Sequence, residues 1–353
     1  MNITQFKNLI YIFILITTAK TFSACASINK TSIEEVKIAL IGDTSAGSNF
    51  TEVLKLIEAE KAQVIMINGD FGYNYSPEQW KQKIISTIDT QTISVIGTLG
   101  NHDVERNNAN KYISILFGFR NSNNNLINIC TGSANISEGK DIAGADEVCT
   151  FKNVSIIGSG IGQILSTNYL ENRLEQKLKE APKENWKLIG YHFTLESMNP
   201  GIKGDQSTHK FFELIRKYGA IGAQGHTHSV MASCPISSEF VKGNKIHDCH
   251  PEFNNPNERF IFPGTGLYVD SSLGGKEVRN RNRCANPNEI GCHHMVDLIS
   301  AEGYTRTDGI TKTSFNRFGA LFITFNKGSN PSKAEVYFKS IDGSVVFSFN
   351  ITK

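Results

Sequence analysis

The sequence carries almost no net charge. Thirty-six Lys plus Arg stand against thirty-four Asp plus Glu in 353 residues, a formal +2. That balance leaves no electrostatic footprint for nucleic acid or an anionic membrane, so partners chosen by bulk charge are excluded. Internal repeats and low-complexity linkers are also missing, and with no boundary marked a single domain is expected, although the length allows two. Paired Cys-x-x-Cys spacing is absent, which argues against a structural zinc site built on thiolates. With 39% hydrophobic and 20% charged residues, disorder, collagen and coiled coil are excluded, and the chain is long enough to bury a core.

What is present begins at the amino end. Lys7 precedes the apolar run Leu9 to Ile16, which is too short for a comfortable membrane span and leads to small residues at Ser23-Ala24-Cys25-Ala26. This has the shape of a secretory signal over 1–26, with cleavage after Ala26, although Lys20 sits close to that point. An uncleaved anchor and lipidation at Cys25 are the alternatives. Seven cysteines are an odd number, and losing or lipidating Cys25 leaves six that can pair completely. Export brings an oxidising environment. The grouping suggests Cys130 with Cys149, Cys234 with Cys249 and Cys284 with Cys292, while fifteen connectivities stay open. Sequons at Asn29, Asn49, Asn74, Asn135, Asn153 and Asn350 would carry glycans in a eukaryotic host.

Short apolar runs recur at Val36 to Ile41, Val64 to Ile67, Ile93 to Ile96, Val154 to Ile157, Leu188 to Tyr191 and Ile221 to Ala223. They read as buried strands. Helical patterns lie between them: Val53, Leu54 and Ile57; Leu170, Leu174 and Leu178 before Pro182; and Phe211, Phe212, Leu214 and Ile215. Such alternation predicts an α/β sheet. From about 229 to 313 the chain is rich in Asn, Pro, Gly and Cys, and it reads as a loop-dominated, disulfide-tied insertion with one strand-like piece at Phe260 to Phe262. Phe318 to Asn326, Ala334 to Phe338 and Val345 to Phe349 then read as antiparallel strands, the last two joined by a turn at Asp342-Gly343.

The predicted strands run into polar residues: Gly42-Asp43, Gly69-Asp70-Phe71-Gly72-Tyr73, Gly100-Asn101-His102-Asp103, His192, and Gly225-His226-Thr227-His228. Open α/β sheets place their sites outside the carboxyl ends of strands, so these groups should converge on one cleft. Carboxylates, a phenol, an amide oxygen and imidazoles make a mixed oxygen and nitrogen set without thiolate, suited to iron, manganese or zinc. Asp43, Asp70, Tyr73, Asn101, His192, His226 and His228 are seven donors, more than one tetrahedral ion uses. With Asp70 shared they divide into two groups of four, as a two-metal site requires.

These motifs resemble the calcineurin-like metallophosphoesterase superfamily, and more narrowly the purple (tartrate-resistant) acid phosphatases, in which a Gly-Asp-x-x-Tyr element corresponds to Gly69 to Tyr73. The likeness runs from about Val36 to Ser272, since Phe262 to Asp270 is similar to the glycine-containing strand after the family's Gly-His-x-His. It implies a single-domain β-sandwich of two mixed sheets flanked by helices, occupying 27–353. It also implies a ferric ion on Asp43, Asp70, Tyr73 and His228, and a divalent ion (iron, zinc or manganese) on Asp70, Asn101, His192 and His226. Phenol ionises near pH 10 when free, so a hard, highly charged ion is the fitting owner of Tyr73.

The function implied is an exported acid phosphatase that cleaves small phosphate monoesters by attack of a metal-bound hydroxide. His102 would be the acid that protonates the leaving alcohol, with Asp103 orienting it. Two rivals stay open: a phosphodiesterase or nucleotidase using manganese or zinc at the same site, and a catalytically silent secreted or surface adaptor. Two departures from the family pattern stand out. Ser45 replaces the glycine of Gly-Asp-x-Gly, and no histidine lies near Gly201, where relatives carry a substrate-facing one. His209, His247, His250, His293 and His294 read as surface residues, and Lys203 and Lys210 as solvated charges.

Overall fold

Strands that are apolar at every position lose water from both faces, and that is how the parallel strands of this protein are arranged. The computed structural model describes residues 33–121, 129–134, 137, 141–244, 246–252, 255–284 and 292–353. The expected signal over 1–26, Cys25, and the sequons at Asn29 and Asn135 lie outside them. Val36–Ile41, Val64–Asn68 and Ser94–Thr98 run parallel. Gly319–Phe325 joins the first of these antiparallel, and Lys333–Ser340 and Val345–Thr352 extend the sheet with Glu258–Phe260 at its edge, seven strands in all. Lys333–Ser340 alternates buried and less buried residues, the mark of a strand with one face toward solvent.

A second sheet has ten strands. Its parallel centre is Val154–Ser159, Trp186–Gly190, Ile221–Gln224 and Leu267–Ser271. Asp146–Phe151 and Ile129–Thr131 flank it on one side, and Val230–Ser233, Met295–Ser300, Gly303–Arg306 and Thr311–Lys312 on the other. Val36, Ile38 and Met66 of the first sheet pack with Ile156, Leu188 and Val269 of the second to form the central core. Helices cover the outer faces. Ser48–Ala59 buries Phe50, Val53, Leu54 and Ile57 against the first sheet, while Thr167–Glu180 and His209–Lys217 cover the second. Ser166 and Thr208 cap those last two helices, and Pro182 follows the end of the first of them as expected. The architecture is the expected two-sheet sandwich flanked by helices.

The stretch 229–313 departs from its loop-dominated reading. Its one anticipated strand lies slightly earlier, at Glu258–Phe260, and Val230–Ser233, Leu267–Ser271, Met295–Ser300, Gly303–Arg306 and Thr311–Lys312 all enter the second sheet. These strands are short and interrupted by polar residues such as Asp270 and Asp297, so no continuous apolar run announces them. Those polar residues draw on partners far along the chain as well as on near ones such as Ser272 and Tyr304. Asp297 accepts from Arg259 at 2.5 Å, and the fully buried guanidinium stacks on Phe349, clipping the first sheet to the second. The three disulfides are Cys130–Cys149, Cys234–Cys249 and Cys284–Cys292, the pairs suggested by their grouping. The first joins residues directly opposite in adjacent strands.

Candidate metal centre

Asp43, Asp70, Asn101, His192 and His226 each stand two or three residues beyond the carboxyl end of a strand, where side chains from both sheets reach one cleft. The turns that deliver them are strained. Asp43, Asp70, Tyr73, His226 and His228 all have positive φ, between 51° and 80°, a conformation that costs an L residue roughly 1–2 kcal/mol. Strain of this kind persists only where the surroundings over-determine it. Ser45 also sits at φ 62°, a conformation that glycine adopts without steric cost. Gly69 has no such substitute: at φ 80°, an added Cβ would lie 2.5 Å from His192 Nδ1.

Two groups of donors form. In the first, the Tyr73 hydroxyl is 2.7 Å from Asp43 Oδ1 and 3.0 Å from His228 Nε2, and His228 Nε2 is 3.0 Å from Asp43 Oδ1. In the second, His192 Nε2 lies 3.3 Å from Asp70 Oδ1, 3.2 Å from Asn101 Oδ1 and 3.1 Å from His226 Nδ1. Asp70 belongs to both, because it also bonds the Tyr73 hydroxyl. The structure thus brings all seven candidate ligands to one cleft.

The second group tests whether a cation fits. His192 Nδ1 donates to the Asn68 carbonyl at 2.8 Å, so its Nε2 presents a lone pair. That lone pair meets those of Asp70, Asn101 and His226. Four acceptors aimed at one another need a shared positive charge, and a buried site of carboxylate, amide oxygen and imidazole suits a divalent metal ion. Burial alone would depress His192, but the Asp70 carboxylate lifts it to about 9. Burial, then the positive charges of His192 and Lys203, push His226 down to about 2. In the first group, burial and the carboxylates of Asp43 and Asp70 hold the Tyr73 phenol far above its ordinary value, so only a strongly charged ion would ionise it.

Neighbours that motif reading passed over complete the site. Lys276 lies over the Tyr73 ring, with its Nζ 4.8 Å from the ring centre. Glu277 Oε1 is 3.2 Å from His228 Nδ1, though out of line for a hydrogen bond. Both ride on a segment held by Gly274 N to Gly42 O and Lys276 N to Asp43 O, each 3.0 Å. Lys203 is partly buried, with Nζ 3.5 Å from His226 Nδ1, in contrast to the solvated charge expected of it. None of these residues belongs to a motif, and only long-range packing brings them here.

His102 stands at the rim, its ring 4.7 Å from that of Tyr73 and its Nε2 3.9 Å from Asp70 Oδ2. Its Nδ1 is 3.2 Å from Glu105, whereas Asp103 does not touch the ring. Asp103 is fully buried and accepts from the backbone amides of Gly100, Asp70 and Phe71 at 2.7 to 2.8 Å. Orientation of His102 therefore falls to Glu105, and Asp103 clamps two ligand-bearing turns together. The acid at the third helical position of Asn101-His102-Asp103-Val104 turns inward because three unpaired amides there demand an acceptor.

The chain belongs to the calcineurin-like phosphoesterase family. The family's pattern matches residues 36–230, over half of the chain. No curated protein matches it by sequence. Among solved structures, it is similar in fold to a purple acid phosphatase from yellow lupin seeds, with a TM-score of 0.56 and 14% identity over 90% of this chain and 54% of that one. It thus spans about half the length of the lupin protein. It is similar also to GAP50, the anchor in the inner membrane complex of Plasmodium, at TM-score 0.52 and 11% identity over 90% of this chain and 89% of that one. PhoD gives 0.52 and 12%, over 91% and 70%. Membership makes this a calcineurin-like phosphoesterase fold, and Asp70, His192 and His226 form a buried group that could hold a metal ion.

Two histidines expected at the surface are buried in this phosphoesterase. His247 and His294 are fully enclosed, because the disulfide-tied strands fold over them, and His247 shares a hydrogen bond of 2.7 Å with Ser197. Burial, then the nearby His209 and His293, push His247 down to about 4. Below its ordinary 6.5 the unfolded chain takes up a proton that the native state refuses, so stability should fall from pH 6.5 to pH 4, by up to about 3 kcal/mol from this residue. His247→Gln should flatten that limb in urea titrations at stepped pH. An unchanged slope would assign the loss elsewhere.

Proposed function

We propose that the chain is an exported, purple acid phosphatase-like hydrolase of phosphate monoesters, with ferric iron held by Asp43, Asp70, Tyr73 and His228 and a divalent ion held by Asp70, Asn101, His192 and His226. The observation that carries this reading is the Tyr73 hydroxyl, set among two carboxylates and an imidazole in a buried site. When bound, the metals supply Lewis-acid activation of water and neutralise charge on the phosphoryl oxygens. The chain's own residues do the rest. Lys203 and Arg279 border a pocket of about 360 Å³ beside Thr227 and offer positive charge to a phosphate. His102, partly exposed and steadied by Glu105, is placed to give a proton to the departing alkoxide. Three disulfides support passage through an oxidising compartment. No described helix is long and apolar enough to cross a membrane.

Purified protein should hold about two metal ions, absorb in the visible through tyrosinate-to-iron charge transfer, and hydrolyse p-nitrophenyl phosphate at acid pH. Protein that stays colourless and inactive after loading with iron and zinc would sink the reading. A monoester and diester panel separates the phosphodiesterase alternative. Lys203→Ala should raise KM about tenfold with little change in kcat, as expected when ground-state binding is lost. A kcat loss alone would move Lys203 into the chemical step instead.

A second reading, a silent adaptor, is favoured by the nearly full-length match to GAP50, an anchor. Asn101→Ala separates the two, because it should abolish turnover in an enzyme and leave partner binding intact in an adaptor.

A further inference from the structure

The opposite end of the second sheet carries a cavity of about 780 Å³ that the metal chemistry does not use. Trp186 opens the strand Trp186–Gly190, whose other end leads to His192; the strand alone spans about 13 Å, so the two sites are separate. Leu178, Trp186, Ile261 and Phe262 give the cavity an apolar wall, and Phe262 is 38% exposed. A volume of this size suits a small organic molecule.

The rim is positive. Lys179, Lys183, Lys187, Lys217 and Lys353 all border the cavity. Glu175 compensates Lys179 and Lys217, at 3.1 and 3.3 Å. Lys353 has no carboxylate within ion-pair distance among the described residues: its Nζ donates to the Glu184 carbonyl and lies 4.7 Å from the centre of the Trp186 ring. Lys187 is half-buried, and the Glu184 carboxylate acts on both it and Lys353 from beyond ion-pair distance. Burial, then the charge of Lys187, push Lys353 down to about 8, and burial lowers Lys187 as well. A further donor is left over, since the buried Trp186 indole N–H has no acceptor among the described residues.

Five ammonium groups above an apolar wall, with Lys187 and Lys353 in no direct ion pair among the described residues, call for a ligand with an anionic head and an apolar body. We propose that this cavity is a second binding site, specific for a small amphipathic anion, with Lys187 and Lys353 holding the carboxylate or phosphate head and Trp186, Ile261 and Phe262 the apolar part. The head would pair with the two lysines, and the tail would cover Phe262.

The test is calorimetric titration of the full-length, metal-loaded protein with dodecanoate and with dodecyl phosphate, in excess inorganic phosphate to keep both off the metal centre. Saturable binding of one molecule per chain is expected, and the better of the two identifies the head group. Dodecanol and acetate should each bind at least about tenfold more weakly, since each lacks one half of the recognition. Lys187→Gln with Lys353→Gln should weaken the preferred ligand about tenfold or more, while turnover at the metal centre stays unchanged. With only two tryptophans in the chain, a fluorescence change on binding that is lost in Trp186→Phe would place the ligand here. The inference is overturned by absence of saturable binding, by dodecanol matching dodecanoate, or by the double lysine variant binding as tightly as the parent. Every outcome that overturns the inference is a binding readout, so failure of the phosphatase reading would leave this one standing.

Discussion

Asp70→Asn should abolish turnover, by about 10³-fold or more, and reduce bound metal from two ions to one or none. The size follows from what a metal does to water, moving its pKa from roughly 15.7 to about 7, an advantage the reaction loses with the ion. Asp70 is the side chain common to both donor groups: it lies 3.3 Å from His192 Nε2, bonds the Tyr73 hydroxyl and accepts from the His102 amide at 2.9 Å. An amide keeps the shape but supplies one neutral oxygen where two charged ones stood. Asp43 belongs to the first group and meets the second only through the His226 backbone amide, at 2.7 Å, so Asp43→Asn should remove the visible band while leaving part of the second metal in place. Metal analysis and steady-state hydrolysis on the same preparations decide the matter. Two bound ions and activity within tenfold of the parent in Asp70→Asn would refute Asp70 as the shared ligand.

Asp103→Ala should cost about 3–5 kcal/mol of stability and lower the melting temperature by roughly 10 °C, because it strands three buried amides that share one acceptor group. It should also weaken metal binding by about 10- to 100-fold, the usual effect of removing the partner that orients a ligand. Asp103→Asn retains one acceptor oxygen and should fall between the two. Calorimetry in the presence of chelator isolates the stability effect from the loss of metal. Had Asp103 oriented His102 instead, the alanine variant would unfold normally and change only the acid limb of the pH–rate profile. Glu105→Gln is the variant expected to move that limb, through its contact of 3.2 Å with His102.

Much of the fold was legible because parallel strands buried on both faces must be apolar throughout. Val36–Ile41 and Val64–Asn68 announce themselves that way. Helices such as Thr167–Glu180 show the i, i+4 spacing of a covered face and a cap before it. The strands between 229 and 313 were not legible, because burial there includes Asp297, Arg306 and Asp270, whose charges are neutralised or hydrogen-bonded by residues distant in the chain. Local composition reads such a segment as a loop.

For the candidate site the division is similar. The motifs name Asp43, Asp70, Tyr73, Asn101, His102, His192, His226 and His228 because each follows a strand, and a strand end is a position that sequence can locate. They do not say which atom faces which neighbour. Asp103 shares a motif with His102 yet points away from it into three amides, and Lys203, Lys276 and Glu277 reach the cleft from segments without any motif. By itself, then, the sequence determined the class of fold, the family and the chemistry of the donor set, since these rest on local periodicity and residue type. Only the tertiary structure decided the partners of each side chain, the burial of His247 and His294 and the lysine-rimmed cavity. Those depend on contacts between residues tens to hundreds of positions apart, which no local pattern encodes.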